Sequence, residues 1–116
     1  APDYYIQNNG DAAVDVTVTG LAIEAGAGLT LTDTLVNDND VQLKLVGSGT
    51  ASPFTTATGF LTESDSINTN IGILTGKGDA NPTRHFTFEG TYKGNFDTVK
   101  EPQYTLNFRF ALNDGT

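Results

Sequence analysis

The sequence predicts an all-β fold, a single antiparallel β-sandwich or jelly-roll-like domain spanning residues 1–116 with about 7–9 strands. Three observations predict it. Apolar residues recur with period two in several short runs. Clusters of Gly, Asn, Asp and Ser separate those runs. No stretch repeats apolar residues at i, i+3, i+4 and i+7 over three helical turns.

The elements follow in order. Tyr4 to Gln7 reads as a brief strand, closed by the turn Asn8-Asn9-Gly10-Asp11. From Ala13 to Thr19, Val14, Val16 and Val18 face one side while Asp15, Thr17 and Thr19 face the other. Leu21-Ala22-Ile23 continues that strand past Gly20 through a bulge. Leu29 to Thr34 alternates again, with Leu29, Leu31 and Leu35 inward, and the polar loop Asn37-Asp38-Asn39-Asp40 follows. Val41 to Val46 is a strand with Val41, Leu43 and Leu45 on one face and Lys44 on the other. Ala51 to Gly59 has no readable period, and Phe60, Leu61, Ile67, Ile71, Ile73 and Leu74 supply apolar residues in short pieces. Arg84 to Tyr92 places Phe86, Phe88 and Tyr92 inward, with Gly90 marking a bulge or a close approach. Gln103 to Leu112 alternates best, with Tyr104, Leu106, Phe108, Phe110 and Leu112 toward the core. The expected core is therefore Val14, Val16, Leu43, Leu45, Phe86, Phe88, Leu106, Phe108 and Phe110.

Composition narrows the function. A net charge of −8 and a pI near 4.2 disfavour nucleic acid and anionic lipid as partners. The six basic residues are scattered. No apolar run approaches the length of a membrane span. The chain has no Cys, Met or Trp, the side chains most prone to oxidation, which suits a secreted or cell-surface protein. The opening Ala1-Pro2-Asp3 fits a mature end left by signal-peptide cleavage as well as it fits an arbitrary boundary.

Chemistry is sparse. His85 is the only histidine and falls on the polar face of its strand, so neither a histidine–thiolate zinc site nor a Ser-His-Asp constellation is signalled. No spacing selects a pair of carboxylates for acid–base work. The expectation is a protein that is not an enzyme. No cofactor is called for, although Asp33, Asn37, Asp38 and Asp40, with Asn39, gather enough oxygen ligands for a calcium ion. The competing reading of that loop is a solvated turn whose side chains bond their own backbone. A Lys44–Asn107 isopeptide cross-link is disfavoured, because alternation turns both side chains outward. Tyr4, Tyr5, Tyr92 and Tyr104 are the candidates for a sugar-stacking platform.

The run Ile6-Gln7-Asn8-Asn9-Gly10-Asp11-Ala12-Ala13-Val14-Asp15-Val16 resembles secreted bacterial surface β-sandwich proteins, including the TasA/camelysin-like fibre subunits. There, an Asn-Asn-Gly-type turn joins a strand to a Val-rich strand. The closing run Tyr104-Thr105-Leu106-Asn107-Phe108-Arg109-Phe110 is similar to their terminal strand. The resemblance covers about a quarter of the chain and implies a jelly-roll-like fold and a place in extracellular fibres or matrix. In that family a further strand precedes the turn; here either the fold does without it or a neighbouring subunit supplies it. Two functions are thus expected to compete. One is a homopolymeric filament subunit with Tyr4, Tyr5 and Ile6 as donor strand. The other is a monomeric adhesin or glycan-binding module.

Overall fold

A computed structural model describes residues 3–49, 52–94 and 101–113 and contains seven strands and no helix among them. The strands are β1 (Tyr4–Gln7), β2 (Ala13–Ala25), β3 (Thr30–Leu31), β4 (Asp40–Gly47), β5 (Thr69–Leu74), β6 (Thr83–Tyr92) and β7 (Gln103–Asn113). They form two sheets, β1-β6-β4-β3 and β5-β2-β7. Every pairing is antiparallel except the two-residue contact of β3 with β4. The molecule is all-β, as the alternation predicts.

β2 is the central strand of its sheet, so both of its edges are paired. Its row Val16, Val18 and Leu21 is buried, and Thr17 is buried as well, where the register with β5 shifts between Val16 and Thr17. The expected irregularity at Gly20 is present: the register with β7 shifts between Val18 and Gly20. A side chain at Gly20 would meet the Ser64 carbonyl at 3.1 Å, and the Leu21 N–H donates to that carbonyl at 2.8 Å. At Gly90 the pairing with β4 runs on unbroken, and close approach is the reason for glycine: a Cβ would sit 3.1 Å from the Gln42 carbonyl.

Two apolar clusters fill the space between the sheets. One holds Val16, Val18, Leu45, Phe54, Ile71, Leu74 and Phe86. The other holds Leu21, Leu31 and Leu61. Half-buried Val14, Leu43, Phe88, Leu106 and Phe108 pack against them. The segment around Phe54, Thr58 and Leu61 therefore contributes to the core despite lacking any period. It does so by hydrogen bonding to β4 and β6: Leu61 N–H donates to Leu43 O at 2.7 Å, Thr58 N–H to Leu45 O at 2.9 Å, and Phe54 N–H to His85 O at 3.0 Å.

Three expectations need correction. Phe110 is not core: it lies on the inward row of β7 but is 52% exposed. Leu112 and Tyr92, also expected inward, are 75% and 60% exposed. Alternation assigns each a face correctly, but no described strand of the opposite sheet covers that part of the face. The Leu29–Thr34 strand shrinks to Thr30–Leu31, which leaves only Leu31 fully buried.

Candidate functional site: an open flank between the sheets

β7 is the longest regular strand after β2, and it is an edge. Its inner edge pairs with β2 from Gln103 to Asn113, and no described strand pairs with the outer edge of Gln103–Leu112. β1 is the edge of the opposite sheet on the same flank. Tyr4 lines an apolar cleft of about 290 Å³ together with Leu21, Leu43, Phe88, Tyr104 and Leu106. Ile6 lines a second cleft of about 210 Å³ with Val14, Leu74 and Phe110. Among the described residues the flank is thus a largely apolar furrow bounded by two unpaired strand edges, with Phe110 and Leu112 exposed at one end.

The first cleft holds a buried polar atom. The Tyr104 hydroxyl is buried and has no hydrogen-bond partner among the described residues. Burial also raises its pKa above the ordinary phenol value. A buried hydroxyl without a partner forfeits about 1–3 kcal/mol of lost solvation, so a group that brings an acceptor here is favoured.

The three candidate donor residues are held in their own chain. Tyr4 pairs with Phe86, Tyr5 with His85 and Ile6 with Arg84. Tyr4 stacks on Phe86 at 5.4 Å between ring centroids, and Ile6 packs against the larger core cluster. Tyr5 is exposed beside His85. The donor expectation must therefore accommodate a strand with a place at home, though a short one.

Asp3 fastens the start of that strand. It accepts a hydrogen bond from the Ser48 hydroxyl and sits 2.9 Å from His85 Nδ1. The Ser48 bond is the main cause that holds the Asp3 carboxyl below its ordinary pKa; burial opposes it, and the His85 hydrogen bond and charge add to the lowering. Serine, histidine and aspartate are thus neighbours, which sequence spacing does not reveal. Their order is wrong for nucleophilic catalysis, where the imidazole must stand between hydroxyl and carboxylate to take the proton. Here the carboxylate stands between the other two, and the cluster serves as a clamp.

The acidic loop is organised by Asp40. Its Oδ2 accepts the N–H groups of Val36 at 3.0 Å and Asn37 at 2.7 Å, and these backbone bonds lower its pKa. Asp33, Asn37 and Asp38 point to solvent around it. No group of three or more acidic or histidine side chains converges among the described residues. Lys44 and Asn107 lie on different sheets, and Lys44 faces Glu89 at 3.9 Å. Of the tyrosines, Tyr4 and Tyr104 share the furrow, while Tyr5 and Tyr92 are exposed elsewhere on β1 and β6. No helix among the described residues is long and apolar enough to cross a membrane.

No family model, curated protein or solved structure matches this chain.

Proposed function

We propose that the protein is a structural subunit of an extracellular filament, pilus-like fibre or surface layer, and that copies assemble by adding the N-terminal strand of one to the open flank of the next. The observation that carries this reading is the free outer edge of β7, whose inward row ends in uncovered Phe110 and Leu112 above an apolar furrow. A long unpaired edge with apolar side chains is what native proteins avoid unless another strand is to pair there. Backbone pairing supplies affinity, and alternate side chains entering the furrow set the register.

A second copy is the occupant that the charges favour. Arg109 faces outward on β7 and makes no ion pair with a described residue. Asp3 precedes the donor strand with the same parity. Antiparallel pairing that sets Asp3 opposite Arg109 puts Tyr4 beside Phe108, Tyr5 beside Asn107 and Ile6 beside Leu106. Tyr4 and Ile6 then point into the furrow, and Tyr5 faces out. The donor gives up four residue pairs with β6, the ring contacts of Tyr4 with Phe86 and Phe88 and of Tyr5 with His85, and the Asp3 clamp. Donor and acceptor are different surfaces, so each copy gives one strand and takes one, and the contact propagates into an open polymer.

The absence of cysteine makes the test clean. Protein carrying Tyr5→Cys is mixed with protein carrying Asn107→Cys and oxidised. These positions lie on the outer faces of opposite sheets, so no link forms within one chain. The expected result is a mixed disulfide dimer, and a ladder of oligomers from the doubly substituted chain. A wild-type chain that sediments as a monomer at high concentration and leaves both cysteine proteins unlinked would overturn the reading.

A further inference from the structure

The outer face of the four-stranded sheet carries a second site, distant from the flank. Gln42 and Lys44 of β4 and Glu89, Gly90 and Thr91 of β6 form its floor, and Phe60 forms its wall, around an open depression of about 470 Å³. We infer that this depression binds a neutral oligosaccharide.

The first support is that Phe60 is held in place while exposed. It is 43% exposed, yet it sits between two buried anchors, Thr58 and Leu61. Leu45 N–H donates to Thr58 Oγ1 at 2.8 Å, Thr58 N–H to Leu45 O, and Leu61 N–H to Leu43 O. These bonds run the segment along β4 and turn the Phe60 ring over the outer face, where it contributes little to the core. A rigid ring costs little ordering entropy on binding.

The second support is the chemistry of the floor. The Gly90 backbone completes the floor beside the ring. Around it stand a carboxamide, an ammonium, a carboxylate and a hydroxyl. They are already paired: Thr91 Oγ1 donates to Gln42 Oε1 at 3.0 Å, and Lys44 Nζ lies 3.9 Å from Glu89 and 5.6 Å from the Phe60 centroid. Such groups offer donors and acceptors in adjacent pairs, which matches vicinal hydroxyls. The aromatic ring matches the C–H face of a pyranose, whose slightly positive hydrogens meet the electron-rich π face.

Other ligand classes fit less well. The Lys44–Glu89 pair is self-neutralising, and the chain carries −8 overall, so a polyanion is repelled. Four of the six lining residues carry polar or charged side chains, which penalises a purely apolar ligand. The volume falls within the usual range of about 300–1,000 Å³ for ligand sites, and its open shape suits a chain lying across the strands.

The test uses the full chain labelled with ¹⁵N and titrated with maltotetraose, cellotetraose, xylotetraose and N-acetylchitotetraose. At least one of these is expected to give saturable amide shifts confined to Gln42–Lys44, Phe60 and Glu89–Thr91. Phe60→Ala should weaken that binding at least tenfold, Phe60→Trp should retain or tighten it, and Phe110→Ala on the flank should leave it unchanged. Because Phe60 is not core, all three proteins should keep the wild-type circular dichroism spectrum. Absence of shifts with all four sugars, shifts that map elsewhere, or shifts that survive Phe60→Ala would each overturn the inference.

Discussion

Gly47→Ala should be among the most damaging single-methyl changes in this protein. A Cβ at Gly47 would lie 2.2 Å from the carbonyl oxygen of Phe54 and 3.1 Å from both the Phe54 nitrogen and Pro53 Cβ. The first distance is more than an ångström inside the ~3.5 Å at which such atoms attract. The obstacle is backbone, so no rotamer relieves it. Segment 52–54 must instead move off the end of β4. That movement strains two bonds, His85 N–H to Ser52 O and Phe54 N–H to His85 O, each 3.0 Å long. It also loosens Phe54, which is buried and packs edge-on against Phe86 at 5.9 Å. Overpacking typically costs about 1–3 kcal/mol, and complete loss of a buried Phe about 3–5 kcal/mol. Partial displacement should therefore cost about 3 kcal/mol. For a chain of this length that corresponds to a fall in Tm on the order of 10 °C. Gly59→Ala is the control, since a Cβ there meets nothing within 4 Å. It should be neutral or stabilise by up to ~1 kcal/mol through the unfolded state. Urea titration and thermal melts followed by circular dichroism measure both. Equal stabilities for the two variants would refute the packing of segment 52–54 on β4.

Leu45→Ala, at a fully buried position, should cost about 2–5 kcal/mol, whereas Leu112→Ala, mostly exposed, should stay within about 0.5 kcal/mol; paired urea curves on monomeric protein decide. Asp40→Asn should lower stability at neutral pH, because the ionised carboxylate accepts two backbone bonds and its pKa is lowered on folding. That stabilisation is complete above the ordinary carboxylate pKa and is lost as pH falls through the depressed folded value, so the wild-type advantage should vanish in acid melts. If the Asp33–Asp40 loop holds calcium, EDTA should lower Tm and added calcium restore it; an unchanged Tm under both leaves Asp40 as the turn's own cap.

Much of the fold was legible because strand alternation is a local property. β1 and β2 fall where their sequence patterns place them, and the predicted limits of β4, β6 and β7 lie within a residue of the observed ones. What alternation cannot report is how far the opposite sheet extends. Phe108 and Phe110 occupy the same row, yet one is half-buried and the other exposed, because β1 opposite is only four residues long. Phe54, Thr58 and Leu61 were unreadable for another reason: their burial is fixed by hydrogen bonds to β4 and β6, and no period marks that. The Asp3–Ser48–His85 clamp joins residues remote in the chain, and no local signal points to it. Phe60 was visible only as one apolar residue in a fragment; its role emerges once Lys44 and Glu89 are seen beside it.

The position of β2 has a consequence for how the chain is made. β2 lies between β5 and β7, and its Ala13 is paired with Asn113 near the other end of the sequence. A ribosome adding about 5–20 residues per second leaves an interval on the order of 5–20 s between the emergence of these partners. Throughout that time one side of the most apolar strand has nothing to pair with. Loop closure between such distant segments is also slow. The nascent domain therefore stays open until β7 has emerged, a state in which it can be threaded through a narrow pore but is also exposed to premature pairing with its own kind.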